Sequence, residues 1–129
     1  MARGLIGDLR VKTASTGLAA KSLSGGNQQK VVIGRALMRK PRVVMLDEPT
    51  RGIDIGAKFE IYTLINRLTA EGCAVLLVSS ELPELIGMSD RILMLRDGTV
   101  GGMFSRAEVS PELLMQAALG GVPELQRLA

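Results

Sequence analysis

Histidine and tryptophan are absent from this 129-residue chain, and cysteine occurs once, as Cys73. Without histidine the commonest transition-metal ligand is missing, which excludes zinc and haem readings and leaves oxygen-ligated magnesium open. A single thiol forms no internal disulfide, and Cys73, between Gly72 and an apolar run, fits a structural role better than a reactive one. The aromatics are only Phe59, Phe104 and Tyr62, too few for a surface that stacks bases. The net charge of +3 is small and dispersed, so a solvated surface accounts for it and no nucleic acid is expected as a partner. No apolar run approaches the roughly 20 residues of a membrane span, and Met1-Ala-Arg-Gly lacks the apolar region of a signal peptide. A cytoplasmic chain is expected.

What is present is an ordinary globular balance, 47% hydrophobic and 22% charged, enough for one domain with a core of Leu, Ile, Val, Met and Ala. Two stretches organise it: Leu23-Ser-Gly-Gly-Asn-Gln-Gln-Lys30 and Val43-Val-Met-Leu-Asp-Glu-Pro-Thr50. In the first, two glycines after a serine open an apolar-periodic helix, and the unpaired amides and dipole of a helix start suit an anion such as phosphate. In the second, a short buried-strand pattern delivers Asp47 and Glu48 to its C-terminal end, the edge where open α/β sheets bind ligands. Asp47 can hold a metal and Glu48 can polarise a water, the parts needed for metal-assisted phosphoryl transfer to water. The plain structural alternatives are a ligand-free helix-entry turn at Gly25-Gly26 and a solvated loop or cap at Asp47-Glu48. Their occurrence together favours the phosphate reading.

Periodicity predicts a helix from Asn27 to Arg39, stopped by Pro41, and a strand over Val43 to Leu46. A second helix spans about Ile55 to Ala70, with Ile55, Phe59, Tyr62, Ile65 and Leu68 as its buried stripe and Gly72 closing it. Ala74 to Val78 reads as a parallel strand buried on both faces, which completes a right-handed βαβ unit. A short helix from about Glu81 to Met88 follows, then a hairpin whose arms, Arg91 to Leu95 and Thr99 to Gly101, flank Asp97-Gly98. Ser110-Pro111-Glu112 starts a last helix that stops by Gly120-Gly121, and the tail to Ala129 is expected to be loosely held. The fold class is α/β, a parallel sheet with flanking helices plus a small C-terminal hairpin. The main boundary falls near Ser22. Upstream of it, Gly17-Leu-Ala-Ala-Lys-Ser22 has the end of a phosphate-binding P-loop but not its glycines, since Ala20 and Ser15 stand at their places.

Leu23 to Lys30 resembles the signature motif of ATP-binding cassette (ABC) proteins, Val43 to Glu48 resembles their Walker B strand with its catalytic glutamate, and Arg51-Gly-Ile-Asp54 falls at their D-loop. The Asn-Gln-Gln-Lys ending, the Glu-Pro-Thr-Arg-Gly-Ile-Asp run and Ser79-Ser-Glu-Leu-Pro-Glu84 are similar to the second cassette of bacterial ribose-type monosaccharide importers. The likeness runs from about Val11 to Gly102. It implies the C-terminal half of a P-loop NTPase fold: a helical-subdomain remnant over 1–22, the ATPase core over 23–104, and a C-terminal helix and tail over 105–129.

The resemblance also implies roles. Ser24, Gly25, Gly26 and Gln28 would close over the γ-phosphate of ATP held by a partner cassette in trans, Asp47 would hold magnesium through water, Glu48 would act as general base, and Asp54 would sit at the dimer seam. Ser80 stands where most cassettes have a histidine on the γ-phosphate, and a hydroxyl offers a hydrogen bond but no charge. The implied partners are a second cassette, transmembrane permease subunits and, indirectly, a periplasmic sugar-binding protein, with the chain peripheral on the inner face of the plasma membrane. The implied activity is that of a transport ATPase. P-loop, adenine-stacking aromatic and glutamine loop would all precede Met1, so the isolated chain is expected to bind ATP weakly and to be inactive alone. A non-catalytic interaction module is the alternative. A cassette from a DNA-repair or chromosome-organising ATPase is a third reading, against which no heptads precede Ser22.

Overall fold

The computed structural model describes residues 6–7, 9–15 and 17–121; the tail expected beyond Gly121 lies outside them. The chain forms two compact units that divide after Val78.

The first unit is α/β. A single 3-10 turn, Ala20–Ser22, leads through Leu23 and Ser24 into helix α1, Gly25–Leu37. The P-loop look-alike is therefore an exposed turn, with no strand among the described residues before it. Strand β1, Val43–Asp47, follows, then helix α2, Ile55–Ala70, and strand β2, Ala74–Val78. The strands pair in parallel, Val43 opposite Ala74 and Asp47 opposite Val78, as a βαβ unit requires. Asp54 caps α2 by accepting from the Ala57 amide at 2.9 Å, and Gly72 ends its last turn at a φ of 86°, open to a residue without Cβ. Leu9, Val11, Ile33, Val44, Leu46, Ile61, Leu64, Ile65 and Leu68 form the buried apolar set. The stripe of α2 differs from expectation: Ile65 and Leu68 are buried, but Ile55 and Phe59 are 86% and 71% exposed, and Ile61 and Leu64 take the inward positions.

The second unit joins helix α3, Leu82–Met88, a hairpin of β3, Arg91–Arg96, and β4, Thr99–Ser105, and helix α4, Pro111–Leu119. Asp97 and Gly98 both have positive φ, 49° and 74°, the geometry that makes Asp-Gly a two-residue hairpin turn. Ile92 and Phe104 are opposite one another in the ladder and form a core with Leu114 and Ala117. Ser110 caps α4 through the Leu113 amide at 3.1 Å and Pro111 takes the first helical position. Just before this cap the Ser105 hydroxyl donates to the Glu108 carboxylate at 2.6 Å.

Candidate functional site

The start of α1 is a helix end that its own side chains leave open. Ser24 holds the N-cap position in extended conformation, but its hydroxyl makes no cap bond; it accepts from the Asn27 side-chain amide at 2.9 Å. Asn27 in turn accepts from the Lys12 backbone N–H at 2.9 Å, which ties the upstream loop to the helix. The Gln28 side chain turns back and donates to the Leu23 carbonyl at 2.8 Å. The first helical bond is Gln28 N–H to Ser24 C=O, 2.9 Å. The amides of Gly25, Gly26 and Asn27 lie in the turn that helix geometry leaves without intrahelical partners.

The two glycines are there for different reasons. A Cβ on Gly26 would overlap the Ala57 side chain, so Gly26 is the point where α1 and α2 pack together. A Cβ on Gly25 would meet only ordinary van der Waals neighbours, the nearest being Ile53 at 3.6 Å, and Gly25 is exposed. Nothing within these residues requires a glycine at position 25.

Asp47 ends β1 on its solvent-facing side, in the alternation that buries Val44 and Leu46. The Glu48 N–H extends the ladder by donating to the Val78 carbonyl at 2.9 Å, and the Glu48 carbonyl accepts from Arg51 N–H at 3.2 Å. Glu48 itself has a φ of 45°, a left-handed conformation that costs a residue with a Cβ about 1–2 kcal/mol. Pro49 and Thr50 are fully buried behind it, and this buried pair holds the strained turn at the sheet rim. Among the described residues no hydrogen bond or ion pair engages the carboxylate of Asp47 or Glu48.

A cleft of about 190 Å³ brings together Ser24, Gly26 and Asn27 from α1, Lys12 from the upstream loop, and Asp54 and Ala57 from the start of α2. Of the residues singled out in the sequence, Ser24, Gly26 and Asp54 line this cleft, whereas Gly25, Gln28, Asp47 and Glu48 do not. Ser80 belongs to the second unit and is exposed, beside Ser79, whose hydroxyl accepts from the Glu81 N–H at 3.0 Å. Cys73 is half-buried with its thiol 3.5 Å from the Pro41 carbonyl, a structural setting.

Among the described residues no group of three or more Asp, Glu, Cys or His converges on one point. The donor set suits magnesium, which takes one or two protein carboxylates and fills its shell with water and phosphate oxygens, and it does not suit a metal needing a full protein cage. A second cluster was missed in the sequence. Lys30 is 2% exposed, ion-paired with Glu60, and donates to the Arg10 carbonyl at 3.1 Å. Its signal was periodic: Lys30 falls on the inward stripe with Gly26, Ile33 and Gly34, where an ammonium needs a partner.

Residues 4–51 match the ABC transporter family. The chain is 59% identical over 113 residues to the xylose import ATP-binding protein of Moorella thermoacetica, covering 88% of this chain and 22% of that protein. It is 58% identical to a ribose import ATP-binding protein of Bacillus cereus, with 88% and 23% covered. Among solved structures, an ATP-binding cassette of an ABC transporter superposes with a TM-score of 0.77 at 25% identity over 90% of this chain and 47% of its own. A dimeric cassette bound to ADP and phosphate after hydrolysis superposes with a TM-score of 0.72 at 27% identity, with 81% and 45% covered. The chain thus spans under a quarter of the curated relatives and under half of the solved cassettes. No helix among the described residues is long and apolar enough to cross a membrane.

Proposed function

From a chain that belongs to the ABC transporter ATP-binding family, with the P-loop NTPase fold of its cassettes, we propose the C-terminal part of the second cassette of a monosaccharide-importing ATPase. Its α1 start is the signature that completes a partner cassette's ATP site in trans. The observation that carries this reading is Gly25. A glycine in a helix costs up to about 1 kcal/mol against alanine, and neither backbone conformation nor packing in this chain calls for one there. Close approach of an outside ligand to an open helix tip is the remaining physical reason.

Bound ATP supplies the transferable phosphoryl group. The Gly25 and Gly26 amides and the Ser24 hydroxyl would donate to terminal phosphate oxygens, and Asp54 would line the seam beside them. At the sheet rim, Asp47 would hold magnesium through water, while Glu48, unpaired and fixed by its buried Pro49-Thr50 support, would orient the attacking water and accept its proton. Ser80 would offer a hydrogen bond to phosphate in place of a charge. Gln28 would act by bracing the Leu23 carbonyl at the helix entry. The xylose and ribose import names of the relatives support a sugar as cargo, carried through permease subunits fed by a periplasmic binding protein, with the cassette on the inner membrane face.

For these residues alone, an interaction module without turnover is the second reading, supported by coverage of only 47% of a solved cassette. The test uses the assembled transporter carrying Gly25→Val. Sugar-stimulated ATP turnover should fall at least about a hundredfold, near 2.7 kcal/mol, while ATP affinity at the partner's phosphate loop stays within about twofold. Unchanged turnover, or lost ATP affinity instead, rejects the trans role.

A further inference from the structure

Ser24 holds the N-cap of α1, and Gly25, Gly26 and Asn27 take the first three helical positions. A serine at an N-cap ordinarily turns its oxygen onto the backbone N–H of the second or third of these residues and closes the helix start. Ser24 does not. Its oxygen accepts from the Asn27 side-chain amide at 2.9 Å instead, so the third residue offers its side chain in place of its own backbone N–H, and the amide that capping would have consumed is left for a ligand. Each bond in this chain has one possible direction. A backbone N–H only donates, so the Asn27 side-chain oxygen is the atom that faces the Lys12 N–H, 2.9 Å away. The nitrogen of the same amide is thereby turned to Ser24, and an amide NH2 also only donates. Ser24 accepts there, which commits one lone pair and leaves its proton to point elsewhere. Among the described residues no acceptor takes that proton.

We propose that Asn27 is a positioning residue for phosphoryl transfer: anchored by the Lys12 N–H, it holds the Ser24 hydroxyl as an acceptor towards its own chain and so as a donor towards the terminal phosphate of the partner cassette's ATP. This rests on the trans reading above. Turning the Ser24 proton inward would set it against the hydrogens of the Asn27 amide, so the outward orientation is the favoured one. The donor is ordered before the anion arrives, and a bond from an ordered donor to a charged oxygen is among the stronger hydrogen bonds. The three groups are neighbours in one place, since Lys12, Ser24 and Asn27 all line the helix-start cleft. Asn27 is half-buried there and Ser24 exposed, which puts the anchor inside and the donor at the surface where a second cassette would approach.

The test measures sugar-stimulated ATP turnover of the assembled transporter, and ATP affinity at the partner's phosphate loop, for Ser24→Ala, Asn27→Ala and the two together. Each single variant should lower turnover about tenfold or more. The pair should lower it no further than Ser24→Ala alone, because Asn27 acts only through the hydroxyl. ATP affinity should stay within about twofold throughout. Asn27→Asp separates positioning from the tie to the upstream loop: at nearly the same volume its carboxylate still accepts from the Lys12 N–H, but it cannot donate to Ser24 and draws the hydroxyl proton inward. Turnover should fall with Asp as it does with Ala. The proposal is overturned if Asn27→Asp keeps turnover, which leaves a loop tie alone, if Asn27→Ala costs the same factor with and without Ser24→Ala, or if Asn27→Ala changes nothing. Each of these outcomes leaves the Gly25 experiment standing. Unchanged turnover with Ser24→Ala removes the hydroxyl from the site and this role of Asn27 with it, whereas the trans reading falls only on the Gly25→Val result.

Discussion

Gly26 and Ala57 share one space: helices α1 and α2 approach so closely there that a methyl on Gly26 would overlap the Ala57 Cβ. This contact sets the inward line of α2, because Ala57, Ile61, Leu64 and Leu68 then follow at helical spacing, and it turns Ile55 and Phe59 outward.

Gly26→Ala should destabilise the chain by about 1–3 kcal/mol through overpacking, read as a lower urea midpoint. Adding Ala57→Gly should recover most of the loss despite the helix cost of the second glycine. If the double variant recovers stability but the assembled transporter stays inactive, Gly26 serves both packing and ligand. No effect of the single variant would contradict the packing role.

Glu48→Gly should raise stability by about 1 kcal/mol, by relieving the left-handed backbone, and abolish turnover in the assembled transporter. Glu48→Val should lower both. A stability gain in the Gly variant with turnover preserved would remove Glu48 from the chemistry.

Breaking the Lys30–Glu60 pair should be costly. Glu60→Gln keeps an acceptor oxygen but removes the counter-charge of a buried ammonium, and a loss of about 2–3 kcal/mol is expected, below the figure for a fully buried pair because Glu60 reaches solvent. Lys30→Met, which removes the charge and keeps the volume, should cost less. Chemical denaturation of the two variants ranks them directly.

Asp54→Ala should cost about 1 kcal/mol by leaving the Ala57 amide without its cap, and Asp54→Ser should restore most of it. If turnover of the assembled transporter falls with Ala and also with the stability-neutral Ser, Asp54 acts at the seam as well as at the cap.

Glu108 accepts from the Ser105 hydroxyl at 2.6 Å and the Ser105 N–H at 3.3 Å, and these bonds hold its carboxyl below the ordinary 4.5. A carboxyl depressed in the folded state contributes stability above its unfolded value, lost as pH falls through the folded one. Ser105→Ala should bring the Glu108 titration back towards 4.5, followed by carboxyl-carbon NMR. An unshifted titration would assign the depression elsewhere.

Much of the fold was legible because it rests on short-range chemistry. Pro41, Gly72, Asp97-Gly98, Ser110-Pro111 and Gly120 act within a few residues of themselves, so α2 and β2 begin and end where the sequence puts them. Helix α1 starts two residues earlier than its periodicity suggests, because glycines carry no hydrophobic signal. The candidate site was legible as two motifs, but not the division of labour within the first: adjacent glycines read alike until Ala57 is found against one and only ordinary van der Waals neighbours, Ile53 and the Gly52 carbonyl, near the other.

By itself the sequence determined the order of the elements and most of their bounds, the presence of an open helix start and of an acidic strand end, and the family those motifs mark; the first helix ends at Leu37 rather than Arg39 and the second hairpin arm runs on to Ser105 rather than Gly101. Tertiary structure alone decided which side of α2 faces inward, which glycine packs, that Lys30 is buried against Glu60, and that the β1–β2 sheet is covered on one face. The reason is range: capping, turns and strand or helix propensity are settled within a few residues, whereas burial and close approach depend on what arrives from distant parts of the chain.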